Sequence, residues 1–357
     1  MNILYYIITF FVLVYLTIKF KHRFWSIQPV FHIYNIFYWM FPPGIIQTKI
    51  PKLTKYYDPT IFHKNFNDVS DYEIDNVVEL IQRDYLRTPN AEYDPPKSGF
   101  TSYFIGHREP CFLSTVEHVK NLFNYKKKQV CQKNTCVSTM TTRPLHIKIL
   151  SNKSKKQYET LTIGHVDFLC TEKNVRKKGI TPKIIYSHYI NSRKAKEGCS
   201  IFMFKREGPQ SIFVPLVIFK SYLFDTRKWR APKPMHPSIK VIENTPQNLH
   251  LVQNFINEQE NNGMFKIVIQ PELTNIGELC KTSNIFVYSI VQNETIKGVY
   301  FFRNAYTKYR LGNPSILLTN KNDKPMDSLE IFASINTFDT SNKPLFYNGF
   351  NKAMQMI

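Results

Sequence analysis

The sequence predicts an α/β fold: a mixed sheet flanked by helices, laid out in two successive halves and preceded by an N-terminal transmembrane helix. Three observations predict it. Residues 3–18 (ILYYIITFFVLVYLTI) carry no charge. Residues 161–191 (LTIGHVDFLCTEKNVRKKGITPKIIYSHYIN) read as a buried strand, a basic turn and a helix. After a proline-rich break at 230–237 (RAPKPMHP), strand and helix patterns alternate again. With 357 residues and 43% apolar content, the chain can bury a sizeable core.

The uncharged N-terminal run is expected to form a single membrane span over residues 1–20, extended by snorkelling Lys19, Lys21 and Arg23. It lacks the positive leader and small-residue cleavage site of a signal peptide. Its cations follow the span, so the positive-inside rule places the body in the cytosol. The six cysteines show no CxxC pairing and are read as free thiols, with no metal site expected. The net charge of +20 points to an anionic partner, either nucleic acid, a membrane surface or a phosphorylated ligand. Nothing but charge supports nucleic acid.

Next comes an aromatic segment, FHIYNIFYW at 31–39, suited to a membrane interface or to a core. Pro42-Pro43-Gly44 ends it, and an extended arm follows to about Pro59. From Ser70 the pattern is an amphipathic helix with a capping box to Glu73 and an apolar face of Ile74, Val77, Val78, Leu80 and Ile81. Alternation over 135–150 and 158–170 reads as an antiparallel hairpin around the loop at 151–156. The Lys126-Lys127-Lys128 run precedes it.

The hairpin leads into Val175-Arg176-Lys177-Lys178-Gly179 and a helix with Pro182 in its first turn. Free N–H groups, the positive end of the helix dipole and three cations make an anion site suited to a pyrophosphate. A solvated basic turn is the competing reading. Beyond it, strands are expected at 199–204, 239–242, 265–269, 284–291 and 295–302, a further apolar run at 212–219 and a helix at 247–260.

Arg176-x-x-Gly179-Ile180 after an apolar strand resembles the coenzyme A pyrophosphate loop of the GNAT acyltransferase superfamily. Phe168-Leu169-Cys170, then Val175-Arg176-Lys177-Lys178, then Thr181-Pro182, is similar to the Asn-Phe-Leu-Cys and Leu-Arg-Ser-Lys-Arg-Val/Leu-Ala-Pro motifs of N-myristoyltransferase. About 140 residues earlier, His22-Arg23-Phe24-Trp25-Ser26-Ile27-Gln28-Pro29-Val30 is similar to that family's Tyr-x-Phe-Trp-Asp-Thr-Gln-Pro-Val.

The resemblance implies two tandem GNAT-like units: an acyl-CoA-binding half at 21–230 and a shortened C-terminal half at 231–357. It implies a membrane-tethered protein N-acyltransferase that moves myristoyl from myristoyl-CoA, a co-substrate and not a resident cofactor, to an N-terminal glycine. The backbone N–H groups of Phe168 and Leu169 would stabilise the oxyanion. Arg23, Phe24 and Trp25 would cover the coenzyme, with Cys170, Thr171, Arg176, Lys177, Lys178, Gly179, Ile180 and Thr181 along its pyrophosphate. The family's base is its terminal carboxylate; the candidates here are the carboxylate of Ile357, if the shortened half brings it inward, and Asp167. Asp167 stands where the family has Asn, and the His of its Tyr-Trp-His-Arg segment has no counterpart near 219–222. An inert acyl-CoA or acyl-peptide binding protein on the same fold is the alternative.

Overall fold

The computed structural model describes residues 2–42, 44–124, 129–151, 158–195, 200–206, 212–226, 229–309 and 327–357. The Lys126–Lys128 run and most of the 151–156 loop lie outside them. The chain separates into two compact units, residues 1–56 with 205–225 and residues 57–204 with 226–357.

The first unit holds helix α1 (Asn2–Lys21) and the short α2 (Ile36–Met40). Among the described residues no helix is long and apolar enough to cross a membrane. That corrects two expectations, the N-terminal transmembrane helix and a single-pass protein with its body facing the cytosol. Length and composition give the reason. The uncharged run rises only about 24 Å at about 1.5 Å per residue, against a hydrocarbon core of about 30 Å. Tyr5, Tyr6, Thr9, Tyr15 and Thr17 also place hydroxyls along it. The apolar run expected at 212–219 contributes a single bridge, His32 to Phe213, and no strand.

The second unit begins with β1 (Phe62–Asn65) and α3 (Asp71–Asp84). The capping box at Ser70 and Glu73 forms as expected. Then come β2 (Ala91–Tyr93), α4 (Lys97–Thr101), and the long strands β3 (Phe112–Asn124), β4 (Gln129–Leu150) and β5 (Tyr158–Thr171). Helix α5 (Ile180–Ala195) and strand β6 (Phe202–Phe204) follow. Past the proline-rich break lie β7 (Ile239–Asn244), α6 (Leu249–Asn261), β8 (Ile267–Gln270), α7 (Leu273–Lys281), β9 (Ile285–Gln292) and β10 (Thr295–Asn304). The unit ends with β11 (Thr307–Tyr309), β12 (Leu329–Asn336) and α8 (Lys343–Met356).

Among the described residues the strands form a six-stranded sheet in the order β1-β3-β4-β5-β6, with β8 on β4, and a four-stranded sheet in the order β12-β10-β9-β7. β2 pairs with β11. β8 comes from the second half of the sequence yet joins the first sheet, pairing residues 146–149 of β4. The first sheet is mixed because β6 runs parallel to β5.

The core follows the predicted faces. Ile74, Val77, Val78, Leu80 and Ile81 of α3 pack on one side of the first sheet with Phe100, Phe104, Leu113, Phe168 and Cys170. On the other side, Ile184 of α5 packs on Met140, Val166 and Ile61. Beneath α5 a chain of hydrogen bonds joins His63 Nδ1, Ser114 Oγ, His188 and Thr142 Oγ1 at 2.8–2.9 Å. α8 lies on the second sheet, where Gly349 brings its backbone against Tyr300 and Ile290: a Cβ there would meet Tyr300 Oη at 2.7 Å.

Candidate active site

The site grows from one irregularity in β5. Strand pairing with β4 runs in register from Leu150–Tyr158 to Thr142–Val166, then slips and resumes at Met140–Leu169. Thr141 alone therefore faces both Asp167 and Phe168, the two-against-one count of a β-bulge. Side-chain alternation breaks with it. Val166 and Leu169 pack on the α5 side of the sheet, whereas Phe168 and Cys170 pack on the α3 side. Asp167 and Phe168 thus both face α3, which plain alternation does not allow.

The slip also sorts the backbone donors. Phe168 donates its N–H to the hydroxyl of Thr141 at 3.1 Å, so it points toward β4. Farther along, Glu172 donates to Val137 O on β4. N–H groups alternate between strand edges, so Leu169 points its N–H to the opposite edge. That edge is where β6 sits, but β6 pairs only as far as Val166 with Phe204. Among the described residues no strand covers the edge beside Leu169.

Past Thr171 the chain makes the basic turn. Lys177 and Gly179 take left-handed φ values of 64° and 81°, the glycine directly before α5, where a side chain would strain the backbone. Arg176 is a brace: Nε donates to Thr171 O at 2.9 Å and Nη2 to Asp84 O at 2.8 Å, tying the turn to the end of α3. Lys177 and Lys178 are exposed. Thr171 Oγ1 links Ser138 Oγ (2.9 Å) to Thr181 Oγ1 (3.1 Å), fixing the strand end to the first turn of the helix. α5 spans 16 residues, and its first-turn N–H groups and positive dipole end face this turn.

Phe168, Leu169, Cys170, Thr171, Arg176, Lys177, Lys178, Gly179, Ile180 and Thr181 thus lie along one strand–turn–helix passage. Arg23, Phe24 and Trp25 belong to the other compact unit. There Arg23 lies over Phe20, and Phe24 is buried between Trp25 and Tyr56, with ring centroids at 5.0 and 5.1 Å. Ile357 follows α8 on the second sheet and is exposed.

Two side chains not singled out from sequence join Asp167 to complete the site. His165 and Arg143 are cross-strand partners on the α3 face. Arg143 Nε lies 2.8 Å from Asp167 Oδ2, and His165 Nδ1 lies 3.1 Å from Asp167 Oδ1. Arg143 also reaches Asn275 Oδ1 at 3.4 Å and lies over the Tyr103 ring. Burial alone pushes the Asp167 carboxyl up, but Arg143 and His165 outweigh it and hold the group well below the usual carboxylate range. The signal was the i, i+2 spacing of His165 and Asp167 on a strand, which sets both on one face.

Other reactive pairings are inert. Ser114 and His188 lie 2.8 Å apart, but both are fully buried, and burial holds His188 well below its ordinary value, so it stays neutral. Burial pushes the Cys111, Cys136 and Cys170 thiols up to about 12, which removes the thiolate that nucleophilic attack needs. Among the described residues no cluster of His, Cys, Asp and Glu could hold a metal.

No protein-family model matches the sequence, and no curated protein matches it in sequence. Solved structures match the fold. A crystal structure of Saccharomyces cerevisiae N-myristoyltransferase with bound myristoyl-CoA superposes with a TM-score of 0.60 at 12% identity, covering 94% of this chain and 84% of that one. A second structure of that enzyme with bound myristoyl-CoA gives 0.58 at 13%, covering 94% and 80%. A third, with myristoyl-CoA and inhibitors, gives 0.59 at 14%, covering 94% and 81%. At these identities the likeness establishes an N-myristoyltransferase-like fold across nearly the whole chain.

Proposed function

We propose that this chain is an acyl-CoA-dependent N-acyltransferase, transferring myristoyl from myristoyl-CoA to the N-terminal glycine of a peptide. One observation carries the reading. The Leu169 N–H faces an edge that no strand covers among the described residues, and the same strand runs on into the Lys177–Lys178 turn and the N-terminus of α5. That arrangement suits a thioester whose carbonyl oxygen sits at the bulge and whose pyrophosphate sits at the turn. The solved structures of similar fold hold myristoyl-CoA, which supports the choice of acyl donor.

Chemically, the amine attacks the thioester carbonyl and negative charge grows on the oxygen. A backbone N–H already aimed at that oxygen stabilises the transition state without reorganisation. Among the described residues no strand covers the edge that Leu169 faces, so its N–H is the donor for the oxyanion, while the Phe168 N–H is held by the Thr141 hydroxyl on the β4 side. Lys177 and Lys178 supply positive charge to the pyrophosphate, and Arg176 fixes the turn that presents them.

The test is incubation of the purified chain with myristoyl-CoA and a glycine-initiated peptide, read by mass. Gain of one myristoyl group on the α-amine is the expected result. Saturable myristoyl-CoA binding with no transfer would instead identify an inert acyl-CoA or acyl-peptide binding protein.

A further inference from the structure

Transfer needs a proton acceptor at the amine, because an α-amino group is largely protonated at neutral pH, with a pKa of about 7.7–8.0. We propose that His165 is the general base of the acyl transfer and that Asp167, locked by Arg143, positions it. This rests on the acyltransferase reading above and assigns its missing proton acceptor.

The geometry selects His165 within the cluster. Asp167 is the nearer carboxylate to the bulge, but it is engaged on both oxygens, by Arg143 and by His165. An anion held in that way is a weak base. Tyr93 and Tyr103 line the same cluster, and burial pushes both hydroxyls up, so they donate hydrogen bonds and accept no proton. Arg143 is permanently charged. His165 is left.

Its Nδ1–H donates to Asp167 Oδ1, which fixes the neutral tautomer with the lone pair on Nε2. The side chain is 20% exposed, so a substrate amine can reach it. Its two partners are each only 10% exposed and cannot swing away. His165 also lies at the mouth of the parted strands: it pairs with Met203 of β6, one rung before the last pairing. At about 3.3 Å per residue it stands roughly 13 Å along the strand from Leu169, a gap to be filled by the imidazole, one water, the amine and the thioester carbonyl.

The step balances without another reactant. The ammonium first loses one proton to solvent; the neutral amine then forms the C–N bond as His165 Nε2 takes one of its two remaining protons. The tetrahedral oxyanion collapses, the C–S bond breaks, and the imidazolium gives that proton to the coenzyme A sulfur. The products are an amide with one N–H and a free thiol.

The experiment uses the full chain with myristoyl-CoA and a glycine-initiated peptide, comparing wild type, His165→Ala and the near-isosteric His165→Gln. Acyl-CoA binding and thermal unfolding are measured alongside. General acid–base catalysis contributes about a hundredfold or more. Both variants are expected to lose about that much kcat, with little change in KM or in acyl-CoA affinity. Added imidazole is expected to restore part of the rate to His165→Ala and none to His165→Gln, whose side chain fills the space.

A folded variant that transfers at the wild-type rate would overturn the assignment. So would a slow His165→Ala enzyme that imidazole does not rescue, since that pattern marks a structural role. Wild type that binds myristoyl-CoA but transfers nothing overturns the base and leaves the binding half of the function standing. Wild type that does not bind it overturns both.

Discussion

Arg143→Met should destabilise the protein by about 3 kcal/mol or more, because it strands a buried charge. Arg143 and Asp167 are each 10% exposed and meet at 2.8 Å. Breaking a buried pair by removing one partner typically costs about 3–5 kcal/mol, since the remaining charge stays out of water uncompensated. The low end applies because His165 still hydrogen-bonds the carboxylate. Against a total stability of about 5–15 kcal/mol this is a large loss.

Urea unfolding at pH 7 measures it, and the pH dependence gives a second reading. A carboxyl whose folded pKa is depressed stabilises the fold above its unfolded pKa of about 3.9 and loses that contribution as pH falls through the lower folded value. Arg143→Met should shrink this acid limb, because the carboxyl is no longer held down. Arg143→Met with Asp167→Leu should recover most of the loss, since a packed apolar pair carries no stranded charge. A loss under about 1 kcal/mol, within the range of exposed pairs, or an unchanged acid limb would refute the buried-pair reasoning.

Three further outcomes follow from the geometry. Lys177→Ala with Lys178→Ala should weaken myristoyl-CoA binding by about tenfold or more at low salt, from about 1 kcal/mol for each exposed charge near an anion, with urea stability unchanged; Arg176→Ala should instead lower stability, because it cuts the ties to Thr171 and Asp84. Burial holds His188 well below its ordinary value and lowers His63 to about 4, so the unfolded chain takes up protons first and stability should fall as pH drops from about 6.5 toward 4, with a shallower fall in His188→Gln. Gly349→Ala should cost about 1–3 kcal/mol through overpacking, read by thermal unfolding, because its Cβ would press on Tyr300 and Ile290.

Much of the second unit was legible in the sequence. The capping box at Ser70, the apolar face of α3, the β4–β5 hairpin and the strand–turn–helix at 161–191 all form where local pattern puts them. What failed was what local pattern does not carry. The N-terminal run reads as a span only if snorkelling cations are allowed to make up for its shortness. Asp167 on plain alternation points away from Phe168, and only the bulge turns both to the same face. β8 reads as part of an autonomous second half but pairs across to β4, a long-range choice with no local signature. His165 carries no local signal of its own, because a histidine in an apolar strand is more often core. Its partner Arg143 is 22 residues away and becomes its neighbour only through the hairpin register.

The most direct measurement is calorimetric titration of the purified full chain with a non-hydrolysable myristoyl-CoA, repeated with Lys177→Ala/Lys178→Ala. The account predicts one saturable site per chain and a clear loss of affinity in the double variant. No binding to the wild type, or equal affinity in the two proteins, would contradict the assignment of the acyl-CoA site to the β5–α5 turn.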